Sequence, residues 1–279
     1  MKKASFFLLL LSAAVAHAQQ ANAPFAIRYF ETSAYSKNFT DAFSGLVNQA
    51  ALPEIKQAVA GVYADRRYML KELSSYNAAL ALPSRLGGFG VAIHYVGAEN
   101  LNTSQIGIGY GKKLNEKISI GIQFNYYNIR LAGYGSSSTI NFEAGTLLHL
   151  TDKLHIGVHV CNPFSSKFGK TRSEHLPSIY STGIGYEVSG KLLISAVVRK
   201  QENTPVDIGT TLQYIIADHL FVRVGTGTSN PYYFFGLGIQ WKTFRLDAVS
   251  TWQAPLGFTP GLMLLFNFHE DKSNPESEK

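Results

Sequence analysis

Residues 117–129 read KISIGIQFNYYNI. Ile118, Ile120, Ile122, Phe124 and Tyr126 alternate with Ser119, Gly121, Gln123 and Asn125, the period-2 pattern of a strand with one apolar and one polar face. A soluble sheet turns the apolar face to a core and the polar face to water. An outer-membrane barrel inverts this, with apolar side chains against lipid and polar ones lining the lumen. One strand fits both arrangements, so the decision rests on the rest of the chain.

The alternation recurs in Ile106, Ile108 and Tyr110, in Leu154, Ile156, Val158 and Val160, in Leu220, Val222 and Val224, and in Phe235, Leu237, Ile239 and Trp241. A turn recurs with it: LPSRL (82–86), LNEKI (114–118), LTDKL (150–154), VSGKL (188–192) and IADHL (216–220), with start-to-start spacings of 32, 36, 38 and 28 residues. Each has an apolar residue, two turn-type residues, a cation or imidazole, and a second apolar residue. A three-residue loop would set the flanking apolar residues opposite each other. The spacing leaves room for two strands of about 9–11 residues and one longer connection, as a membrane-spanning strand requires. The longer connections are expected at 97–102, 130–138, 162–177, 201–205, 227–231 and 253–257.

Coarse strands fall at 56–68, 73–82, 86–97, 103–112, 116–129, 138–150, 153–161, 177–188, 191–200, 206–216, 218–227, 232–241, 243–252 and 259–268. The fold class predicted is all-β: a transmembrane antiparallel barrel of about 14 strands, tight turns periplasmic and longer loops outside. Tyr68, Tyr95, Tyr126, Tyr127, Trp241 and Trp252 are read as interfacial girdle residues.

The start of the chain, MKKASFFLLLLSAAVAHA (1–18), has a Lys2–Lys3 n-region, an apolar stretch from Phe6 to Ala16 and an Ala16-His17-Ala18 cleavage pattern. This predicts a cleaved signal peptide and export to the outer membrane of a Gram-negative cell. No later run reaches the roughly 18 apolar residues of a spanning helix. Cys161 is the sole cysteine, which excludes an internal disulfide framework. The formal charge of +6 becomes +4 without the leader, and its basic residues are scattered, so no nucleic-acid partner is expected.

Residues 24–55 do not alternate, and Asp41 to Leu52 reads as a short helix closed by Pro53. The domain reading is a signal peptide (1–18), an N-terminal luminal plug segment (19–55), the barrel (56–268) and a disordered periplasmic tail, HEDKSNPESEK (269–279). The stretch GLVNQAAL (45–52), with Asn48, Gln49, Ala50, Ala51 and Leu52, is similar to the Asn-Pro-Ala-Ala-Leu plug motif of the FadL-type outer-membrane fatty acid transporters. Together with Asp65-Arg66-Arg67-Tyr68, Glu72-Leu73 and the closing GFTPGLMLLFNF (257–268), it makes the chain resemble that family, and more closely its PorV/PorQ-like relatives. Gln49 stands where the family has proline. The resemblance implies a plugged barrel with one of two roles. It is a binding or scaffold component of an outer-membrane, type IX secretion-related complex, the reading favoured here, or a passive channel for a hydrophobic small molecule. The partners implied are outer-membrane lipid, secretion-complex proteins and a hydrophobic small molecule. The family also implies a lateral opening at an early strand, here at Gly87, Gly88 and Gly90, for which close packing on the plug is the other reading.

No catalytic, cofactor or metal site is expected. His149 and His155 face each other across the LTDKL turn, and His159 is about 13 Å further along the same face, so the three cannot ligate one ion. His94 and Ser104 fall on opposite faces by parity, which removes the obvious nucleophile–base pair. Glu143, Asp207, Arg223 and one of Arg245 and Asp247 are read as a lumen network holding the plug. Phe266 and Phe268 are read as the assembly signal that ends the last lipid-facing strand.

Overall fold

The computed structural model describes residues 25–168, 176–217, 219–229 and 231–268. The expected signal peptide, residues 19–24 of the plug segment and the tail 269–279 lie outside the described residues.

Fourteen strands are formed among the described residues: β1 (Val59–Arg66), β2 (Ser74–Ser84), β3 (Gly87–Gly97), β4 (Leu101–Lys113), β5 (Ile118–Leu131), β6 (Gly135–His149), β7 (Leu154–Cys161), β8 (Ile179–Ser189), β9 (Leu192–Gln201), β10 (Asp207–Ala217), β11 (Leu220–Gly227), β12 (Tyr232–Trp241), β13 (Phe244–Gln253) and β14 (Gly257–Asn267). Each pairs antiparallel with its sequence neighbours. β1 closes the circle on β14 in the register Val59↔Asn267 to Asp65↔Gly261. Closure leaves no open sheet edge, which is what allows a β-structure to stand in hydrocarbon.

The opening stretch resolves as the inverted case. On β5, Ile122 and Phe124 are 47% and 60% exposed on the outer wall, whereas Gln123 and Asn125 are 4% and 1% exposed inside. The outer face carries exposed Ile, Leu, Val, Phe and Tyr around the whole barrel. Among the described residues no helix is long and apolar enough to cross a membrane. The architecture is that of an outer-membrane barrel.

Two of the five repeated turns are the expected three-residue loops, with Leu114 N donating to Ile118 O and Leu150 N to Leu154 O, both at 2.9 Å. Two others are two-residue turns, closed by Ser84↔Gly87 and Ser189↔Leu192, and at the fifth motif Ala217 pairs with Leu220. In the last two, the ladder shifts register at Val188 and Ile216, absorbing the extra residue as a bulge. A sixth turn, between Trp241 and Phe244, matches none of the repeated motifs. The 130–138 connection shrinks to residues 132–134, because β5 and β6 stay paired as far as Leu131↔Gly135. Tyr126, Trp241 and Trp252 lie on the outer wall. Two girdle assignments are corrected: Tyr127 shares the inward parity of Gln123 and Asn125, and the Tyr68 hydroxyl donates to Gln253 Oε1 at 2.7 Å over the loop end.

Inside the wall lie α1 (Phe25–Ala34), α2 (Ser44–Val47) and a 3-10 turn, Gln49–Glu54. The single helix expected over Asp41–Leu52 is broken at Asn48, whose backbone is extended (φ −153°, ψ 114°) and whose Oδ1 accepts from Ala50 N at 3.0 Å. That side-chain bond caps a new turn and competes with continuing the old one. Pro53 then sits inside the 3-10 turn and does not terminate it. α1 has neither an acidic first turn nor a basic last turn, and the sequence reading passed over it.

Candidate functional site

The candidate site is the plug and the wall that holds it. Its apolar centre is Phe30, stacked on Phe43 at 4.1 Å between ring centroids and met edge-on by Tyr63 of β1 at 5.2 Å. Around it, inward glycines form sockets. Asn48 fills the space a Cβ would need at Gly145 and Gly157, Tyr35 does so at Gly157, Gly183 and Gly185, and the Gln49–Ala50 peptide lies over Gly121. The glycines between the apolar residues of each strand therefore set how closely the plug approaches the wall.

Asn48, Gln49, Ala50, Ala51 and Leu52 are all buried. Asn48 Nδ2 donates to Thr146 O at 3.1 Å, and Gln49 Nε2 donates to Glu143 Oε2 at 2.9 Å. Glu143 also accepts from Asn125 Nδ2 at 2.8 Å and lies 2.9 Å from His159 Nε2. Asn125 of β5, His159 of β7 and Gln49 of the plug thus converge on Glu143 of β6.

Among the described residues, Glu143, Asp207 and Arg223 each meet a different part of the plug. Asp207 lies 3.4 Å from Arg28 of α1. Arg223 donates through Nη1 to Tyr29 O at 2.7 Å and through Nη2 to Gln213 Oε1 at 2.6 Å, and lies 3.7 Å from Asp41. Arg245 and Asp247 both face inward, where one was expected. Two apart on a strand, they share a face. Arg245 holds Asp247 through Nε and Nη2 at 2.7 and 2.8 Å, and Tyr29 OH donates to Asp247 Oδ2 at 2.7 Å. Glu31 of α1 forms an ion pair with Arg199 of β9. Burial pushes the Tyr29 and Tyr35 hydroxyls well above their ordinary value, so both remain protonated.

A further set runs along the turn end. Glu54 lies 2.8 Å from Lys113 Nζ and 3.1 Å from His149 Nε2. Burial would raise its pKa, but hydrogen bonds from His149 and Lys113 outweigh that and hold the carboxyl at about 2. His149 and His155 approach at 2.8 Å between Nδ1 atoms, and Glu187 collects the turn after α1 through Ser36, Lys37 and Asn38. The facing histidines were legible in the sequence. Their carboxylate partners were not, although Glu187 has the inward parity of its strand.

Gly87, Gly88 and Gly90 belong to an unbroken β3, paired with β2 from Ser75↔Val96 to Ser84↔Gly87 and with β4 from Gly88↔Gly111 to Gly97↔Asn102. A Cβ at Gly88 would strike the Leu52 carbonyl, and one at Gly90 would reach Leu52 Cδ2 at 2.9 Å. Gly88 and Gly90 make room for the plug, whereas a Cβ at Gly87 would meet Gly111 O and Tyr110 of β4, and the strand pairing leaves no lateral gap at the three in this conformation. The wall nearby has a different feature. An apolar groove of about 390 Å³ lies on its outer face over Ala60 and Ala78, framed by Val62, Leu80, Val91, Ile93, Leu264 and Phe266. A narrow crevice of about 10 Å³ between the plug and β2–β3 shares Leu80 and Val91 with it.

Among the described residues no group of three or more His, Cys, Asp or Glu could hold a metal ion. Cys161 is a free thiol. Phe268 is exposed and donates its N–H to Ala58 O at 3.0 Å, and Phe266 packs against it and against Phe244.

These features define a plugged outer-membrane β-barrel. The fold is similar to that of the Pseudomonas putida toluene transporter TodX, with a TM-score of 0.63, 10% identity, and 85% of this chain and 95% of that chain covered. It is also similar to the Ralstonia pickettii toluene transporter TbuX, with a TM-score of 0.61, 11% identity, and 88% and 100% covered. A Pseudomonas aeruginosa FadL homologue matches with a TM-score of 0.60, 12% identity, and 85% and 96% covered. At such identities the likeness is one of fold. No protein-family model and no curated protein matches the chain.

Proposed function

We propose that the protein is a passive outer-membrane passage for a hydrophobic small molecule. The observation that carries this is the apolar, membrane-facing groove over Ala60 and Ala78; on the inner side of the same strands a crevice of about 10 Å³ lies against the plug. An apolar solute is concentrated by burying its surface against such a wall. The fold neighbours named for toluene transport support the same direction. The plug stands inside the wall in the conformation described, so passage along its side of the lumen requires it to shift.

The scaffold reading, with PorV/PorQ-like and type IX secretion partners, takes second place. It is favoured only by the plug packed inside the wall. Uptake of a labelled alkylbenzene by intact Gram-negative cells, with and without the protein, tests the proposal. Faster uptake with the protein is expected. Equal uptake for every apolar tracer removes the passage reading and leaves the scaffold, for which gentle solubilisation should then yield a co-purifying partner.

A further inference from the structure

His149 and His155 are cross-strand partners at the turn end of β6 and β7, with 3% and 0% of their surfaces exposed and Nδ1 atoms 2.8 Å apart. A hydrogen bond between two imidazole nitrogens contains one proton, since one nitrogen donates and the other accepts. The outer edges of both rings already face anions. His149 Nε2 lies 3.1 Å from Glu54 Oε1, and His155 Nε2 lies 3.2 Å from Glu187 Oε1 without hydrogen-bond alignment. Opposite a carboxylate an N–H is favoured over a lone pair. A proton on each Nε2 and one between the two Nδ1 atoms makes three, an arrangement in which the pair carries one positive charge. A fourth proton would set two N–H groups against each other at the short Nδ1 separation, and the rings would have to part.

The two rings together hold both ends of the inner plug. Glu54 belongs to its 3-10 turn and is also held by Lys113 of β4 and Ser119 of β5. Glu187 of β8 accepts from Ser36 Oγ at 2.6 Å, Lys37 N at 2.7 Å and Asn38 Nδ2 at 2.6 Å, the turn that follows α1. The titratable and charged groups around the pair are Glu54 from the plug, Glu187 from β8, Lys113 reaching in through Glu54, and the neutral Tyr35 phenol beside Gly157. With three protons on the pair this set is electrically balanced. A fourth leaves an uncompensated positive charge in a buried site.

We propose that His149 and His155 form a proton-operated latch on the plug, closed with three shared protons and released by the fourth. Because it sits at the tight-turn end, the proton it answers to is the periplasmic one. The latch stands whether the barrel conducts or serves as a scaffold.

Amide hydrogen exchange of the intact barrel in detergent tests it, with rates corrected for the chemical effect of pH, at about pH 8 and about pH 5. Peptides covering 36–55 should lose protection by about tenfold or more at the acid end, while β9–β14 peptides remain protected. In His155→Asn, and separately in His149→Asn, plug exchange should be the same at both pH values, with heat-modifiable mobility as the folding check. Wild-type plug protection that does not change with pH would overturn the proposal. So would acid loosening that persists in a folded His155→Asn protein, or that spreads equally to the β9–β14 wall.

Discussion

Gln49 Nε2 donates to Glu143 Oε2 at 2.9 Å, a direct side-chain bond between the 3-10 turn of the plug and strand β6. Glu143 is buried and also meets Asn125 and His159. Replacing the amide with an apolar side chain of similar size leaves that carboxylate one donor short. Gln49→Leu should cost about 1–3 kcal/mol, read as a lower urea midpoint for loss of the fast-migrating folded form. An unchanged midpoint would contradict the assigned bond.

The glycine sockets give a second prediction. Gly88→Val should leave the barrel inserted but displace the plug, because the new side chain collides with the Leu52 carbonyl, which is backbone and cannot rotate away. Plug peptides should become protease-sensitive in the folded protein. Gly190→Ala is the control, since nothing lies within 4 Å of a Cβ there. Equal protease resistance in both variants would show that the plug does not rest on β3.

The barrel was legible in the sequence because hydrocarbon forces every wall strand into strict alternation and closed pairing. Ile118 to Tyr126 could take no other face once lipid was assigned to the isoleucines. The plug was less legible, because its conformation is set by contacts distant along the chain. α1 is held by Asp247, Arg223 and Arg199, none of which leaves a local signal near residue 30. The break at Asn48 comes from a side chain that caps its own backbone while reaching Thr146 and Val158 of the wall. Of the polar residues singled out, Glu143, Asp207 and Arg223 could be assigned to the lumen by parity, but parity does not say which groups meet. Glu54 and Glu187 escaped notice because each acquires its role through partners on other elements, Lys113 and His149 for Glu54, and Ser36, Asn38 and His155 for Glu187.

The Glu54 carboxyl gives a prediction in pH. Its pKa is lowered to about 2 from an ordinary 4.5, so the anchoring it supplies is complete above the ordinary value and is lost as pH falls from there toward 2. In wild type, a loosening of residues 49–54 in that acid window should be measurable by hydrogen exchange. Glu54→Gln should already be loosened at neutral pH and show no further change in the window. A variant that keeps the acid transition would place its origin elsewhere.

The end of β14 gives another. Leu262, Leu264 and Phe268 face outward, and Phe268 is tied to Ala58 O beside the first strand. Phe268→Asp places a charge at the interface and should lower the yield of assembled, heat-modifiable barrel. Truncation after Phe268 should leave that yield unchanged. A truncated chain that fails to insert would transfer the assembly role to the residues beyond.

The most direct measurement is the uptake of labelled toluene by intact cells producing Ala78→Phe, compared with wild type and with cells lacking the protein. Ala78 floors the outer groove, and a phenyl ring there fills it without touching the plug anchors. With equal amounts of folded barrel, the passage account predicts that wild-type uptake exceeds background and that Ala78→Phe uptake returns to it. Wild-type rates with the groove filled would contradict the account.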